Sequence, residues 1–128
     1  GWWPVPVVVS LAPFYGGWLQ FLCNNAQHTG LQDNVADFRL CCRTITLNPV
    51  LQFLYWHMNY HTEHHMHATI PCYNLAKLHR LIRADLPPCP NGLWRTWRDI
   101  MAILKRQKQD KSYQHVAALP GRGVAVES

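Results

Sequence analysis

"PVPVVVSLAPFYGGWLQFLC", residues 4–23, is twenty consecutive positions without a charged side chain. Wound as a helix, about 20 such residues cross the roughly 30 Å of hydrocarbon in a bilayer. Trp2 and Trp3 stand at one end, where an interfacial aromatic belt places such rings. Pro4, Pro6, Pro13 and the Gly16–Gly17 pair weaken a helix, but membrane helices tolerate them better than soluble ones. No basic segment precedes the stretch, which argues against a cleaved signal peptide. We read it as one transmembrane helix; a buried hairpin in a soluble core is the competing reading.

Charge is distributed unevenly around that stretch. Residues 1–32 contain no Asp, Glu, Lys or Arg, and all 12 Lys and Arg lie at Arg39 or beyond. From Lys77 to Lys111 there are nine basic and three acidic residues. An apolar half joined to a basic half fits a membrane protein with a basic cytoplasmic end, or a nucleic-acid binder with an apolar core. The second needs a base-reading fold or exposed aromatics threaded through the basic residues. Trp94 and Trp97, near Arg95 and Arg98, fit one face of an amphipathic helix better, so no nucleic-acid partner is expected. Arg39 and Arg43 follow closely on the span and place that end in the cytoplasm. Five cysteines (Cys23, Cys41, Cys42, Cys72, Cys89) form no CxxC pair and read as free thiols on a reducing side.

Beyond the span the pattern is helical. Asn48 is a candidate N-cap and Pro49 suits a first helical turn, so a helix is expected over about 49–66. Residues 44–62 are uncharged and could form a second span. That span would put Lys77, Arg80 and Arg83 across the membrane from Arg39 and Arg43, and would separate His28 from the other histidines. An interfacial helix is therefore expected. Leu75, Leu78, Leu81 and Ile82 make an apolar stripe on a helix over about 74–84, with Lys77, Arg80 and Arg83 facing headgroups. A third helix is expected over 93–104, then a solvated basic stretch at 105–111 and a flexible tail at 112–128. The expected fold is all-α: one transmembrane helix followed by cytoplasmic or interfacial helices, with residues 1–111 forming part of one domain.

Four of the eight histidines, His61, His64, His65 and His67, lie within seven positions of "NYHTEHHMHATIP" (59–71). On a continuous helix at about 100° per residue, His57, His61, His64 and His65 share an arc of roughly 100°, with Glu63 nearly opposite. Imidazoles crowded together repel once protonated, and a metal resolves this by taking their lone pairs. Zinc-protease chemistry is not indicated: HExxH is absent, and the inverted HxxEH needs a histidine where Tyr60 stands. No GxSxG motif supports a serine hydrolase. A pH-sensing peripheral membrane module is a weaker alternative.

"HTEHH" (61–65) resembles the last histidine box, HxxHH, of the integral-membrane fatty acid desaturase and hydroxylase superfamily. "NAQHTGL" (25–31) resembles the motif upstream of that box, and "HATIPCYNLAKLHRLI" (67–82) its usual continuation. The resemblance implies a cytoplasm-facing di-iron centre that activates O₂ and removes hydrogen from an unactivated C–H bond. It implies His28, His61, His64 and His65 as iron ligands, with Asn59, Glu63 and His79 in supporting positions around them. His57 and His67 fall outside the box. It further implies an acyl-type lipid substrate, a cytochrome b5-like or ferredoxin-like electron donor, and an endoplasmic reticulum location if the source is eukaryotic. The family also carries HxxxH and HxxHH boxes on earlier helices, whereas no histidine precedes His28 here. The expectation is therefore a C-terminal portion of such an enzyme, inactive alone; a non-catalytic metal-binding remnant is the alternative.

Overall fold

The computed structural model describes residues 1–120, apart from the side chain of Tyr15. Helix α1 runs Pro4–His28, 25 residues, five beyond the span expected over 4–23. At 1.5 Å per residue it is about 37 Å long. It is long and apolar enough to cross a membrane, and only 6% of its most apolar window is buried. Trp2, Trp3, Val9, Phe14 and Phe21 are exposed along it. The extra turns carry "NNAQH" and bring His28 to the helix terminus.

The last turns of α1 join the small core. Leu19, Cys23 and Ala26 pack with Ile45, Leu47, Tyr55 and Ile100 into one small core. Among the described residues five shorter α-helices follow: α2 Phe38–Cys41, α3 Pro49–Leu54, α4 His61–Met66, α5 Leu75–Ile82 and α6 Leu93–Gln109. No strand forms among the described residues; Thr46 and Asn91 make an isolated bridge. The Trp97 indole N–H donates to the Leu22 carbonyl at 3.2 Å and ties α6 to α1.

The single helix expected over 49–66 is two helices. Asn48 does cap α3, its side chain accepting from Leu51 N at 2.9 Å. The helix then ends after one and a half turns. Trp56 and His57 adopt φ of 54° and 56°, and His57 N bonds back to the Gln52 carbonyl while Trp56 N bonds to Phe53. This is the six-to-one closure that normally recruits glycine. Gln52 Nε2, 2.8 Å from His57 Nδ1, adds a side-chain clasp. His57 is thereby committed to the turn and leaves the histidine arc.

Three further expectations change. Helix α6 continues to Gln109, so most of the basic stretch 105–111 is helical. Leu81 is 75% exposed, which takes it out of the packed stripe of α5. Leu119 is buried, so the segment after Ser112 is held against the body as far as the description reaches; residues 121–128 of the expected tail lie outside it.

Gly30 makes the turn after α1 possible. Its φ is +80°, and a Cβ there would meet Ile103 Cγ2 at 3.0 Å. Gly30→Ala combines left-handed strain with a clash, and should lower stability by about 1–2 kcal/mol. A fall in the thermal unfolding midpoint in mild detergent checks this; an unchanged midpoint would mean that the turn is not anchored against α6.

Candidate metal centre

The site forms where the end of α1 meets the start of α4. Gln27, fully buried, makes the join. Its Nε2 donates to the Met58 carbonyl at 2.7 Å, its Oε1 accepts from Tyr55 Oη at 3.1 Å, and its carbonyl accepts from Arg43 N at 2.8 Å. The residue beside His28 thus clasps the turn that leads into the box. Asn59 adds a second clasp: its Nδ2 donates to the Ile45 carbonyl at 2.9 Å and its own carbonyl accepts from Ile45 N at 3.0 Å.

These clasps bring three rings together. His61 Nε2 lies 2.8 Å from His28 Nε2 and 3.1 Å from His65 Nε2. The His28 and His65 rings stand nearly perpendicular to His61, at 84° and 83°. Phe38 stacks on His65 with 5.4 Å between centroids. His64 is adjacent but apart: its ring centroid is 6.3 Å from His61 and 5.9 Å from His65.

The convergence fits a metal on chemical grounds. Two imidazole nitrogens bound at about 2.1 Å and at right angles stand about 3.0 Å apart, close to both observed spacings. His61 Nδ1 is buried without a hydrogen-bond partner. Ligation through Nε2 fixes the proton on Nδ1 and offsets part of that cost. Neutral imidazole nitrogen is a suitable donor for iron, zinc, copper and nickel.

Burial and neighbouring imidazoles favour the neutral form of His61 and His65. Burial first, then His28, His65 and His64, push His61 down to about 3. His65 is lowered by burial, then by His28 and His64. In the metal-free protein this has a signed consequence. Above the ordinary pKa of 6.5 both folded and unfolded His61 are neutral; below it only the unfolded form takes a proton. Stability should therefore fall as pH drops from 6.5 towards 3. Between about pH 7.5 and about pH 5 the loss for this one group is about 2 kcal/mol. Denaturant midpoints at the two pH values, compared with those of His61→Ala, check this; equal slopes in the two proteins would contradict it.

The supporting residues take a different form from that expected. Asn59 and Glu63 hydrogen-bond no ligand imidazole. Glu63, fully buried, accepts from Thr44 Oγ1 and pairs with His79 Nδ1. His79 thus holds Glu63, and the pair pins α4 to α5. His67 is exposed at the end of α4. Gln27 and Cys42 were not legible as site residues in the sequence. Cys42 belongs to the cluster with His28, His61 and His65, within 4.8 Å by one atom each. Its Sγ faces the Nδ1 side of His28, at 4.0 Å, away from the converging nitrogens. Burial pushes its thiol up to about 12. In the metal-free protein the protonated thiol packs behind the His28 ring. The "NAQHTGL" motif contains Gln27 and was the available signal; for Cys42 there was none.

A cleft of about 630 Å³ lies between α1 and the turn after α3, lined by Trp18, Leu19, Leu54, Trp56, Met58 and His61 among others. His61 is the member of the histidine cluster that lines it.

The family model for fatty acid desaturases matches residues 1–97. The match runs from α1 into the first turns of α6 and takes in His28 and the whole 61–65 box. No curated protein and no solved structure matches the chain. With three-quarters of its length matched, the chain belongs to the fatty acid desaturase family.

Proposed function

We propose that this chain supplies the histidine-rich part of a membrane iron enzyme that uses O₂ to desaturate or hydroxylate a lipid acyl chain. The observation that carries the reading is the placement of three converging imidazoles at the end of a bilayer-length helix, beside an apolar cleft that reaches one of them. His28, His61 and His65 would hold iron through Nε2, and His64 would serve a second iron. Iron bound there supplies the activation of O₂ and the removal of hydrogen from an unactivated C–H bond.

The chain's own residues do the rest. Gln27 and Asn59 fix the spacing between the His28 helix and the box. The Glu63–His79 pair holds α4 against α5 and so fixes the orientation of the face that carries His61 and His65. Trp18, Leu19, Leu54 and Met58 shed water and align an extended acyl chain towards His61. Three nitrogens and His64 do not complete two iron centres, so we infer further histidine ligands from outside these 128 residues. Electrons would come from a cytochrome b5-like or ferredoxin-like donor, as membership of the family implies. Arg39 and Arg43 at the box end of α1 favour a cytoplasmic site, on the endoplasmic reticulum if the source is eukaryotic.

The cluster gathers donors for one ion and not two among the described residues, which also favours a non-catalytic metal-binding role. Acyl-chain analysis of membranes separates the readings. Cells would express the longest open reading frame containing these residues, with and without His61→Ala. New double bonds or hydroxyl groups only with the intact histidine support the oxidoreductase. Identical acyl profiles with iron still bound would leave the metal-binding role.

A further inference from the structure

On the face of the core away from the histidines, a second cleft opens between α6 and the segment after Ser112. It measures about 540 Å³ and is lined by Arg43, Arg95, Arg106, Tyr113 and His115. Three arginines line it. Asp99 is the one carboxylate lining it among the described residues; it lies 3.6 Å from Arg98 and also offsets part of the Arg43 charge, against three arginines. Arg95 has no ion-pair partner among the described residues, and Arg106 has only the face of Tyr113, 6.0 Å from its centroid. Like charges converging on a cleft leave a field that an anion offsets, and the planar guanidinium fork matches phosphate oxygens in pairs.

The depth of the cleft says where the anion comes from. The Arg43 guanidinium donates to the carbonyls of Ala26 and Thr29, at the terminus of α1. Trp97, on the same helix as Arg95 and Arg106, donates to Leu22 in the last turns of α1. A helix of bilayer length ends at the headgroup layer, and the cleft is built onto that end. Behind the basic mouth lies a smaller, mostly apolar cavity of about 280 Å³, which shares Arg43, Cys89 and His115 with it. Its wall includes Thr62, whose buried Oγ1 has no hydrogen-bond partner. The two spaces together are amphipathic: cationic outside, apolar within, with one unsatisfied hydroxyl.

We propose that this cleft binds the phosphate of an anionic membrane lipid, with Arg95 and Arg106 gripping the phosphate and the inner cavity taking the adjoining glycerol and ester atoms. The site rests on α1 crossing the bilayer and is independent of the iron assignment. The two outer arginines are exposed, so replacing both leaves the core intact; Arg43, which holds the end of α1, is left unchanged.

The test is a tryptophan-fluorescence titration of the purified, iron-loaded chain in neutral detergent, since Trp94 and Trp97 flank Arg95. The probes are dihexanoyl phosphatidic acid, dihexanoyl phosphatidylcholine and inorganic phosphate. The expected result is saturable binding of phosphatidic acid, weakened on the order of 10-fold or more in Arg95→Gln/Arg106→Gln and by added salt. Phosphatidylcholine should bind more weakly, inorganic phosphate should fail to compete at similar concentrations, and the double variant should keep its iron. Phosphate competing as well as the lipid would make this a site for a free anion and overturn the lipid assignment. Equal lipid binding by the double variant would overturn the cleft itself.

Discussion

His61→Ala should empty the metal centre while leaving the chain folded in the membrane. His61 is the middle donor of the three: its ring lies 4.7 Å from that of His28 and 4.5 Å from that of His65, while those two are 5.7 Å apart. Removing it takes away both of the close nitrogen pairs, 2.8 and 3.1 Å, that define the cluster. Losing a supporting hydrogen bond at a metal site costs about 10–100-fold in affinity, so losing the central ligand should cost on the order of 100-fold or more. The fold should survive, because the ring contributes a desolvated imidazole with an unpaired Nδ1. Iron content by elemental analysis, beside circular dichroism in detergent, reads both outcomes. His64→Ala should do less to the first iron, its ring standing outside the trio. Iron retained at the wild-type level in His61→Ala would remove His61 from the ligand set.

The second large effect concerns stability. His79→Ala should destabilise the protein by about 3–5 kcal/mol, because it strands a buried carboxylate. Glu63 has no side-chain exposure, and apart from His79 its partner is the Thr44 hydroxyl. The His79 ring is 16% exposed, so some water reaches the pair and the lower end of that range is expected. Glu63→Gln keeps the shape and one accepting oxygen, and should cost about 1–2 kcal/mol. Removing both partners should cost less than the sum of the single changes, since the stranded charge goes with them. Denaturant midpoints of the three variants check this. A loss below about 1 kcal/mol in His79→Ala would mean that Glu63 takes up a proton or reaches water.

Much of the architecture was legible because it follows from length and periodicity. An uncharged stretch of bilayer length has few other uses, and the leucine spacing of α5 has only one helical reading. Asn48 and Pro49 marked the start of α3 through capping chemistry alone. The end of α3 was not legible. A chain turns out of a helix most cheaply at glycine, and here Trp56 and His57 take that conformation instead. Nothing local in "LYWHMN" announces it; the turn is imposed by Gln27, whose amide grips Met58 and Tyr55 from 28 or more positions away in sequence. The helical arc through His57 failed for that reason.

The box itself read correctly as a cluster, because His61 and His65 are one turn apart on any helix. Which residue completes it is a matter of tertiary structure. His28 enters because α1 continues past its apolar stretch. His64, one position before His65, points aside. Glu63 was expected to serve the imidazoles; its position between two of them in sequence directs it to the opposite face of α4, where His79 waits. Cys42 was invisible for a simpler reason: a cysteine outside a CxxC pair carries no spacing signal.

X-ray absorption at the iron edge on the purified, anaerobically loaded chain tests the central claim most directly. Convergence of His28, His61 and His65 predicts imidazole nitrogens in the first shell at about 2.1 Å, together with the outer-shell scattering of the rings. A first shell of oxygen alone, without ring scattering, would mean that these histidines do not hold the metal.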